Sequence, residues 1–219
     1  MPTQGTQSQE INRQRILEAA RTIILENGMA ALSMRKLAQV SGLALRTLYN
    51  LYGNKENVVL AVFDHGTRGI ETALSELEHA MCRGEWKTSY YISMIRVMEH
   101  VFLDNQEILK PAMQASASLY RMGSGAAHAM HKRRIKKFLN TLETAAEKKL
   151  IWGDLDLEVA ATLLYRNFFS VAAQWAAGEL DDRELVVHGR YNILTILHTL
   201  ITTPERQKNA LDLLRELKE

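Results

Sequence analysis

Residues 33–55, SMRKLAQVSGLALRTLYNLYGNK, have the spacing of two short helices that each face a protein core on one side. Ser33 can cap a helix that runs from Met34 to about Ser41, because its hydroxyl can accept a hydrogen bond from a first-turn amide. Gly42 would end this helix. Its apolar side would consist of Leu37, Ala38 and Val40.

A second helix is predicted to begin near Ala44. Leu48 and Tyr52 are four residues apart and fall on one face, which we expect to pack. Its other faces would hold Leu45 with Tyr49, and Arg46 with Asn50. Two short helices joined by a glycine-containing turn predict a helix-turn-helix, and a two-turn helix fits a major groove about 12 Å wide. Arg46 would then point at base edges.

The longer run from Ile16 to Val62 resembles the N-terminal domain of the tetracycline-repressor (TetR) family of transcriptional regulators. The most specific element is a T-L-Y-x-x-Y/F-x-x-K-E string, present as Thr47, Leu48, Tyr49, Tyr52, Lys55 and Glu56. It follows an R-x-I-L-x-A-A start at Arg13 or Arg15, and Gly28. Family members often carry Ser where this chain has Ala44, and a small or basic residue where it has Leu45.

This helix-turn-helix gives each polar residue a hypothetical role. Arg46 would donate to a guanine edge, and Leu45 would contact a thymine methyl group. Phosphates or neighbouring bases would be bound by Thr47, Tyr49 and Asn50. Further phosphate contacts are predicted for Ser33, Arg35 and Lys55, the last helped by the amides at its helix N-terminus. The alternative is that Arg35, Lys36 and Arg46 form only a solvated face.

Composition predicts an all-α protein. The 219 residues include three prolines, and no alternating strand pattern stands out. Residues 1–60 hold seven Lys/Arg against four Glu, whereas the remainder holds twenty against twenty-one acidic residues. The basic excess thus coincides with the predicted DNA-binding motif. The single Cys82, and the lack of a signal peptide or membrane span, predict a soluble cytoplasmic protein with no membrane contact. The resemblance implies that it is bacterial and associated with DNA.

Three regions are predicted along the chain: a disordered lead (1–9), a three-helix DNA-binding domain (10–56) and a helical bundle (57–219). The first helix would run from about Glu10 to Asn27. Asn54 would cap a long helix from Lys55 to about Met81. Later helices are predicted near 85–103, 105–122 with a bend or restart at Pro111, 126–151, 156–177, 182–202 and 205–218.

The resemblance implies that the C-terminal bundle binds a small-molecule effector, at least partly apolar, and forms a homodimer through the helices at 156–177 and 182–202. The dimer would bind a palindromic double-stranded operator with half-sites about 34 Å apart, or a multiple of that distance. Candidate interface residues are Ala160, Ala161, Leu164, Phe168, Ala172, Trp175, Leu194, His198 and Ile201. Alternatively, these side chains are buried within one subunit.

The sequence also leaves open functions other than that of a repressor released by its effector. Candidate cavity residues are Tyr90, Met94, Met98, Met113, Tyr120 and Tyr165, although such a stripe is more often ordinary core, so no ligand residue is assigned. Glu76 with His79, and His128 with His131, have metal-ligand spacing, but the second pair lies in a basic run that favours a solvated face. We expect no cofactor, metal site or catalytic residue. An effector-independent architectural DNA-binding protein is the nearer alternative, and a helical-bundle enzyme the more distant one.

Overall fold

The computed structural model describes residues 4–85 and 89–204, together with 207, 208, 211, 212 and 215. Over these residues it contains ten α-helices, one short 3-10 helix and no strand, apart from an isolated bridge between Ile151 and Ile201. The all-α prediction is confirmed. None of the described helices is both long and apolar enough to cross a bilayer.

The helices follow the order of the sequence prediction. They are α1 (Gln4–Asn27), α2 (Met34–Ser41), α3 (Leu45–Tyr52), α4 (Lys55–Gly66), α5 (Arg68–Cys82), α6 (Ser89–Leu103), α7 (Gln106–Arg121), α8 (Gly125–Glu147), α9 (Leu157–Ala177) and α10 (Asp182–Leu200). A 3-10 turn, Met29–Ala31, lies between α1 and α2. The predicted helix at 205–218 falls largely outside the described residues.

The described residues fall into two compact units. Unit 1 lies within Met1–Gly66 and Gln106–His128, and unit 2 lies within Thr67–Asn105 and Ala129–Glu219. All of α4 and α7 therefore belong to the unit that contains α1 to α3. The assignment of 10–56 to DNA binding and of 57–219 to effector binding stays a prediction.

Unit 1 has a helical core centred on α1. Ile16, Ala20 and Ile23 of α1 are fully or almost fully buried, as the predicted periodicity required. Helix α1 packs against α2, α4 and α7, and α4 packs against α7. The helix begins at Gln4 rather than near Glu10, so residues 4–9 continue it instead of forming a disordered lead. Each added residue gains one hydrogen bond on a helix that is already nucleated.

The predicted long helix from Lys55 to Met81 is wrong, because it is two helices. Helix α4 ends at Gly66, and α5 begins at Arg68. A Cβ at Gly66 would lie 2.6 Å from Leu109 Cδ2, so a larger residue here would push the buried Leu109 side chain aside. Thr67 accepts a hydrogen bond from the buried Arg134 guanidinium. Such tertiary contacts are not visible in a helical periodicity.

Three further features differ from the prediction: the course of α7 at Pro111 and the C-terminal ends of α8 and α10. Helix α7 runs through Pro111 without a restart. Helix α8 ends at Glu147 instead of Ile151, because Lys149 adopts a positive φ of 56° and Ile151 then bridges to Ile201. That bridge also ends α10 at Leu200, two residues before the predicted end.

Unit 2 contains α9 and α10, which pack against each other. Their N-termini are capped by side chains: Asp156 accepts from the Val159 amide, and Asp181 forms a capping box with Glu184. Trp175 of α9 is fully buried, and its Nε1 donates to Asp182 Oδ1 at 2.7 Å. Each helix is therefore fixed at its start by a side-chain cap, and the two are joined through Trp175.

Candidate DNA-binding site

Helix α2 is fixed at its start by Ser33. The Ser33 hydroxyl accepts a hydrogen bond from the Lys36 amide at 3.2 Å, and the helix spans the predicted residues, Met34–Ser41. Leu37 is completely buried, which confirms the packing face. Val40 is 41% exposed, so its placement on that face is wrong.

The turn between α2 and α3 depends on Gly42. This residue has a φ of 66°, in the left-handed region that favours glycine, and its amide donates back to the Ala38 carbonyl. Arg15 Nη2 donates to the Ser41 carbonyl at 2.8 Å. A contact from α1 thereby holds the end of α2, and with it the direction in which α3 leaves the turn.

Helix α3 has one buried face and one open face. Leu48 is fully buried and Tyr52 is 9% exposed, as the four-residue spacing predicted. Ala44 occupies the N-cap position and provides no side-chain hydrogen bond to the first turn. Helix α3 therefore begins without a side-chain cap. The buried pair, not a cap, holds α3 in place.

The open face of α3 carries most of the predicted DNA-contacting residues. Arg46, Tyr49 and Asn50 are exposed, and Tyr49 exposes 49% of its surface although it is aromatic. Leu45 and Thr47 are half-buried. These five residues lie within six consecutive positions of one helix, so the structure brings them together on two turns.

The predicted phosphate-binding residues lie at the starts of two other helices. Ser33 and Arg35 are exposed at the N-terminus of α2, and Lys55 is half-buried at the first residue of α4. Asn54 Oδ1 accepts from the Asn57 amide at 2.9 Å, which is the predicted cap of α4. Helix N-termini favour bound anions because their amides and dipoles point outward.

Two positioning residues were not singled out from the sequence. Asn57 Nδ2 donates to the Tyr52 carbonyl at 2.6 Å, so it ties the last residue of α3 to α4. The Arg13 guanidinium lies over the Tyr52 ring, 5.7 Å from its centroid. Burial raises the pKa of Tyr52 above its ordinary value, Arg13 lowers it, and Glu10 raises it. In the sequence, Asn57 is marked only by its place three residues after Asn54, and Arg13 only by its place in the motif that carries the family resemblance.

Comparison with known proteins agrees with this geometry. Residues 16–62 match the family model described as bacterial regulatory proteins, tetR family. Residues 16–62 of this chain are therefore a TetR-family N-terminal domain. The matched residues begin inside α1 and end inside α4, so they include the whole helix-turn-helix. A search of the curated proteins gives no match.

Solved structures of TetR-family proteins share the fold of this chain. FadR of Thermus thermophilus, solved in complex with lauroyl-CoA, is 20% identical with a TM-score of 0.68, over 87% of this chain and 96% of FadR. SmeT, the repressor of the Stenotrophomonas maltophilia efflux pump SmeDEF, is 18% identical with a TM-score of 0.62, over 88% and 91%. A Pectobacterium atrosepticum regulator is 19% identical with a TM-score of 0.66, over 93% and 100%.

The expected dimer residues are mostly buried within one subunit. Exposed fractions do not exceed 9% for Ala160, Ala161, Leu164, Phe168, Ala172, Trp175, Leu194 and Ile201, whereas His198 is half-buried. The alternative of burial within the subunit therefore describes those eight side chains. Both helices also carry exposed apolar residues: Val159 and Leu163 on α9, and Tyr191 on α10.

The candidate cavity and metal residues are dispersed. Tyr165 is buried and hydrogen-bonds His131 Nδ1 at 2.6 Å, and Tyr120 stacks on the exposed His128. Met98 and Met113 are buried in different units, and the side chains of Tyr90 and Met94 fall outside the described ones. The prediction of a solvated basic face is wrong for His131 and Arg134, because both side chains are buried. No group of three metal-ligating side chains occurs in the described part of the chain.

Proposed function

We propose that this regulator is a repressor that binds a palindromic operator as a homodimer and is released by a small-molecule effector. The observation that carries the proposal is the two-faced helix α3. Leu48 and Tyr52 anchor it in the core of unit 1, while Arg46, Tyr49 and Asn50 stand in solvent. A helix of this length fits the major groove, which is wide enough for side chains to distinguish all four base pairs.

Arg46 is the residue proposed to contact bases. Its guanidinium carries donors that match the O6 and N7 acceptors of guanine, and it lies in the first turn of α3, where recognition helices contact base edges. The half-buried Leu45 beside it would contact a thymine methyl group. Thr47, Tyr49 and Asn50 would bind phosphates or the neighbouring bases.

Ser33, Arg35 and Lys55 would set the position of α3 on the duplex. They lie at the first turns of α2 and α4, where free amides already favour an anion. Phosphate contacts carry no base information, so these residues contribute affinity that depends on salt rather than sequence preference. This division of labour separates them from Arg46 in any binding assay.

The homodimer would form through the exposed sides of α9 and α10. Val159 and Leu163 are one turn apart on α9 and expose 52% and 47% of their surfaces, and Tyr191 of α10 exposes 36%. Large apolar side chains exposed one turn apart are typical of a surface that packs on another chain. Two such chains related by a twofold axis would present two copies of α3 to a palindromic site.

The effector would bind in unit 2. A cleft of about 520 Å³, counting the part open to solvent, is bounded by α5, α8, α9 and α10 and is lined almost entirely by apolar side chains. FadR, which shares the fold, was solved with lauroyl-CoA. Such a regulator would act in the bacterial cytoplasm, bound to DNA.

Selection of bound DNA from a random pool at near-physiological salt tests the proposal. We expect a twofold-symmetric consensus with half-sites about one helical turn, or a multiple of it, apart. The Arg46→Ala variant should lose one position of that consensus. The exposed Arg83, which pairs with Glu85, gives a matched control variant, Arg83→Ala, that should enrich the wild-type site. Enrichment of no consensus by the wild type would instead favour an effector-independent architectural protein.

A further inference from the structure

A second cleft in unit 2 has a charged pair at its edge. It lies between α6, α9 and α10, and its cavity volume is about 10 Å³, so a ligand head would need to displace a side chain to enter it. Most of its lining is apolar, with Phe102, Met98 and Phe168 among its residues. The exceptions are Glu99 of α6 and Arg190 of α10, which form a two-bond ion pair of 2.5 Å (Nε to Oε1) and 2.9 Å (Nη2 to Oε2).

The two clefts adjoin each other at Ile193, which lines both. Along α10, the charged cleft uses Leu185 to Ile193 and the larger cleft uses Ile193 to Leu197, so together they follow about 18 Å of helix. On α9, Phe168 lines the charged cleft and Leu164 lines the larger cleft. Both clefts therefore lie along the same stretch of α9 and α10, and the charged pair lines only one of them.

The larger cleft offers hydrocarbon rather than polar partners. Its one polar side chain, Thr141, donates its hydroxyl to Glu78 Oε1 at 2.6 Å. Polar groups of a ligand would lose their water there without gaining a hydrogen bond, which is costly, whereas an alkyl or aromatic body would lose nothing. The larger cleft therefore suits the apolar part of a molecule, and the charged cleft suits its polar head.

The exposure of the two ion-pair side chains indicates whether the polar head of the ligand is a cation or an anion. The Glu99 side chain is 13% exposed, and the Arg190 side chain is 33% exposed. An anionic head that displaced Glu99 from Arg190 would leave a largely buried carboxylate without its partner, which is strongly unfavourable. A cationic head that displaced Arg190 would let a long, partly exposed side chain move into water while Glu99 kept a positive partner. The cation is the less costly exchange.

The surrounding aromatic rings also favour a cation. Phe102 packs edge-on against Phe168, with ring centroids 5.5 Å apart, and both rings line the charged cleft beside Glu99. Aromatic faces attract cations, above all where water is excluded. Gly189 adjoins Arg190 on α10, and a Cβ there would only reach ordinary contact with Phe168 at 3.8 Å.

We propose that the two clefts form one effector site, and that its ligand is an elongated apolar cation whose charged head replaces Arg190 at Glu99. This inference rests on the effector response proposed above, and it adds the chemical class of the effector. The alkyl or aromatic body extends past Ile193 into the larger cleft. The exchange of partners at Glu99 breaks the link between α6 and α10, so binding changes how these two helices are held together.

The test compares three twelve-carbon probes by calorimetry on the full-length protein, below their micellar concentrations: dodecyltrimethylammonium, laurate and dodecanol. We expect the ammonium probe to bind at least about tenfold more tightly than laurate or dodecanol, since one charge-assisted contact is worth about that factor. Tighter binding of laurate, or no binding of any probe, would overturn the proposal.

Two variants of the ion pair give opposite predictions. Glu99→Gln removes the charge that holds the cation and should weaken binding of the ammonium probe at least about tenfold. Arg190→Met removes the side chain that competes with the ligand for Glu99, and it should strengthen binding of the ammonium probe. Both variants break the same ion pair, so a purely structural role would move both affinities in the same direction, and that result would contradict the proposal. If Glu99→Gln fails to fold, the Arg190→Met arm still decides.

A cavity-filling variant and an operator assay complete the test. Ala145 lines only the larger cleft, so Ala145→Met should weaken dodecyltrimethylammonium binding and leave hexyltrimethylammonium binding unchanged; equal losses would contradict the extended pose. The ammonium probe should release wild-type protein from its selected operator, and Glu99→Gln should need a higher concentration. Operator binding without release would sink this inference alone, whereas failure to select any operator would sink the regulator proposal.

Discussion

At the scale of single residues, the orientation of Arg46 is fixed by its neighbours. It lies in the first turn of α3, exposed, two residues before the completely buried Leu48. A helix anchored at Leu48 and Tyr52 cannot rotate without exposing one of them. The exposure of Arg46 is therefore a consequence of core packing, and its use on DNA requires no rearrangement of α3.

Replacing Arg46 with alanine should cost about 1 to 3 kcal/mol of operator binding and relax the base preference at one position in each half-site. Titration of the variant against single-base variants of the selected operator would measure both effects. Arg35→Ala should instead weaken binding to all sequences alike and lower the salt dependence of the affinity. An equal loss on every sequence for Arg46→Ala would make Arg46 a phosphate ligand.

Tyr52 makes the stability of unit 1 sensitive to alkaline pH. Burial raises its pKa above the ordinary value of 10.0, so the folded protein holds the phenol proton more tightly than the unfolded chain does. This contribution is fully present below pH 10.0 and is lost as the pH rises through the folded-state pKa. Tyr52→Phe should therefore show a shallower alkaline fall in the free energy of unfolding.

Urea unfolding between about pH 8 and pH 11 checks this expectation. The exposed Tyr49 provides the matched control, because Tyr49→Phe removes a phenol that lies in solvent and should follow the wild-type curve. Parallel pH profiles for wild type and Tyr52→Phe would contradict the account of Tyr52.

At the scale of elements, the turn between α2 and α3 depends on one backbone angle. Gly42→Ala should destabilise the protein by roughly 1 to 2 kcal/mol, because an L residue is strained at a φ of 66° and a Cβ would lie 3.2 Å from Arg15 Nη2. Chemical denaturation measures this cost. Gly125→Ala is the control, since Gly125 has an ordinary φ and a Cβ there meets no atom within 4 Å. Equal stability of the two variants would refute the strain.

Local signals predicted the helix-turn-helix well. The cap at Ser33, the end at Gly42, and the buried pair Leu48 and Tyr52 are each decided within about four residues, so the sequence contains them in full. The break after Gly66 is not visible in the periodicity, and the contact beside it joins Thr67 to Arg134, more than sixty residues away. Likewise, Phe168 and Trp175 looked like interface residues until the packing of Phe102 against both was known.

At the scale of the whole molecule, the proposed dimer places its contacts on the exposed sides of α9 and α10. Leu163→Glu should put a charge in that interface and shift the protein from dimer to monomer, because a buried unpaired carboxylate is strongly unfavourable. Sedimentation measures the oligomeric state directly. Met122→Glu, at a residue that is 79% exposed, should leave the dimer intact. A Leu163→Glu variant that stays dimeric would place the interface elsewhere.

The most direct test of the central claim is the ratio of affinities for the selected palindrome and for random DNA at one fixed near-physiological salt concentration. A sequence-specific dimer that presents two copies of α3 should bind the palindrome at least about a thousandfold more tightly. Arg46→Ala should reduce that ratio, and Arg83→Ala should not. A wild-type ratio near one would contradict the assignment of α3 as the helix that recognises the operator.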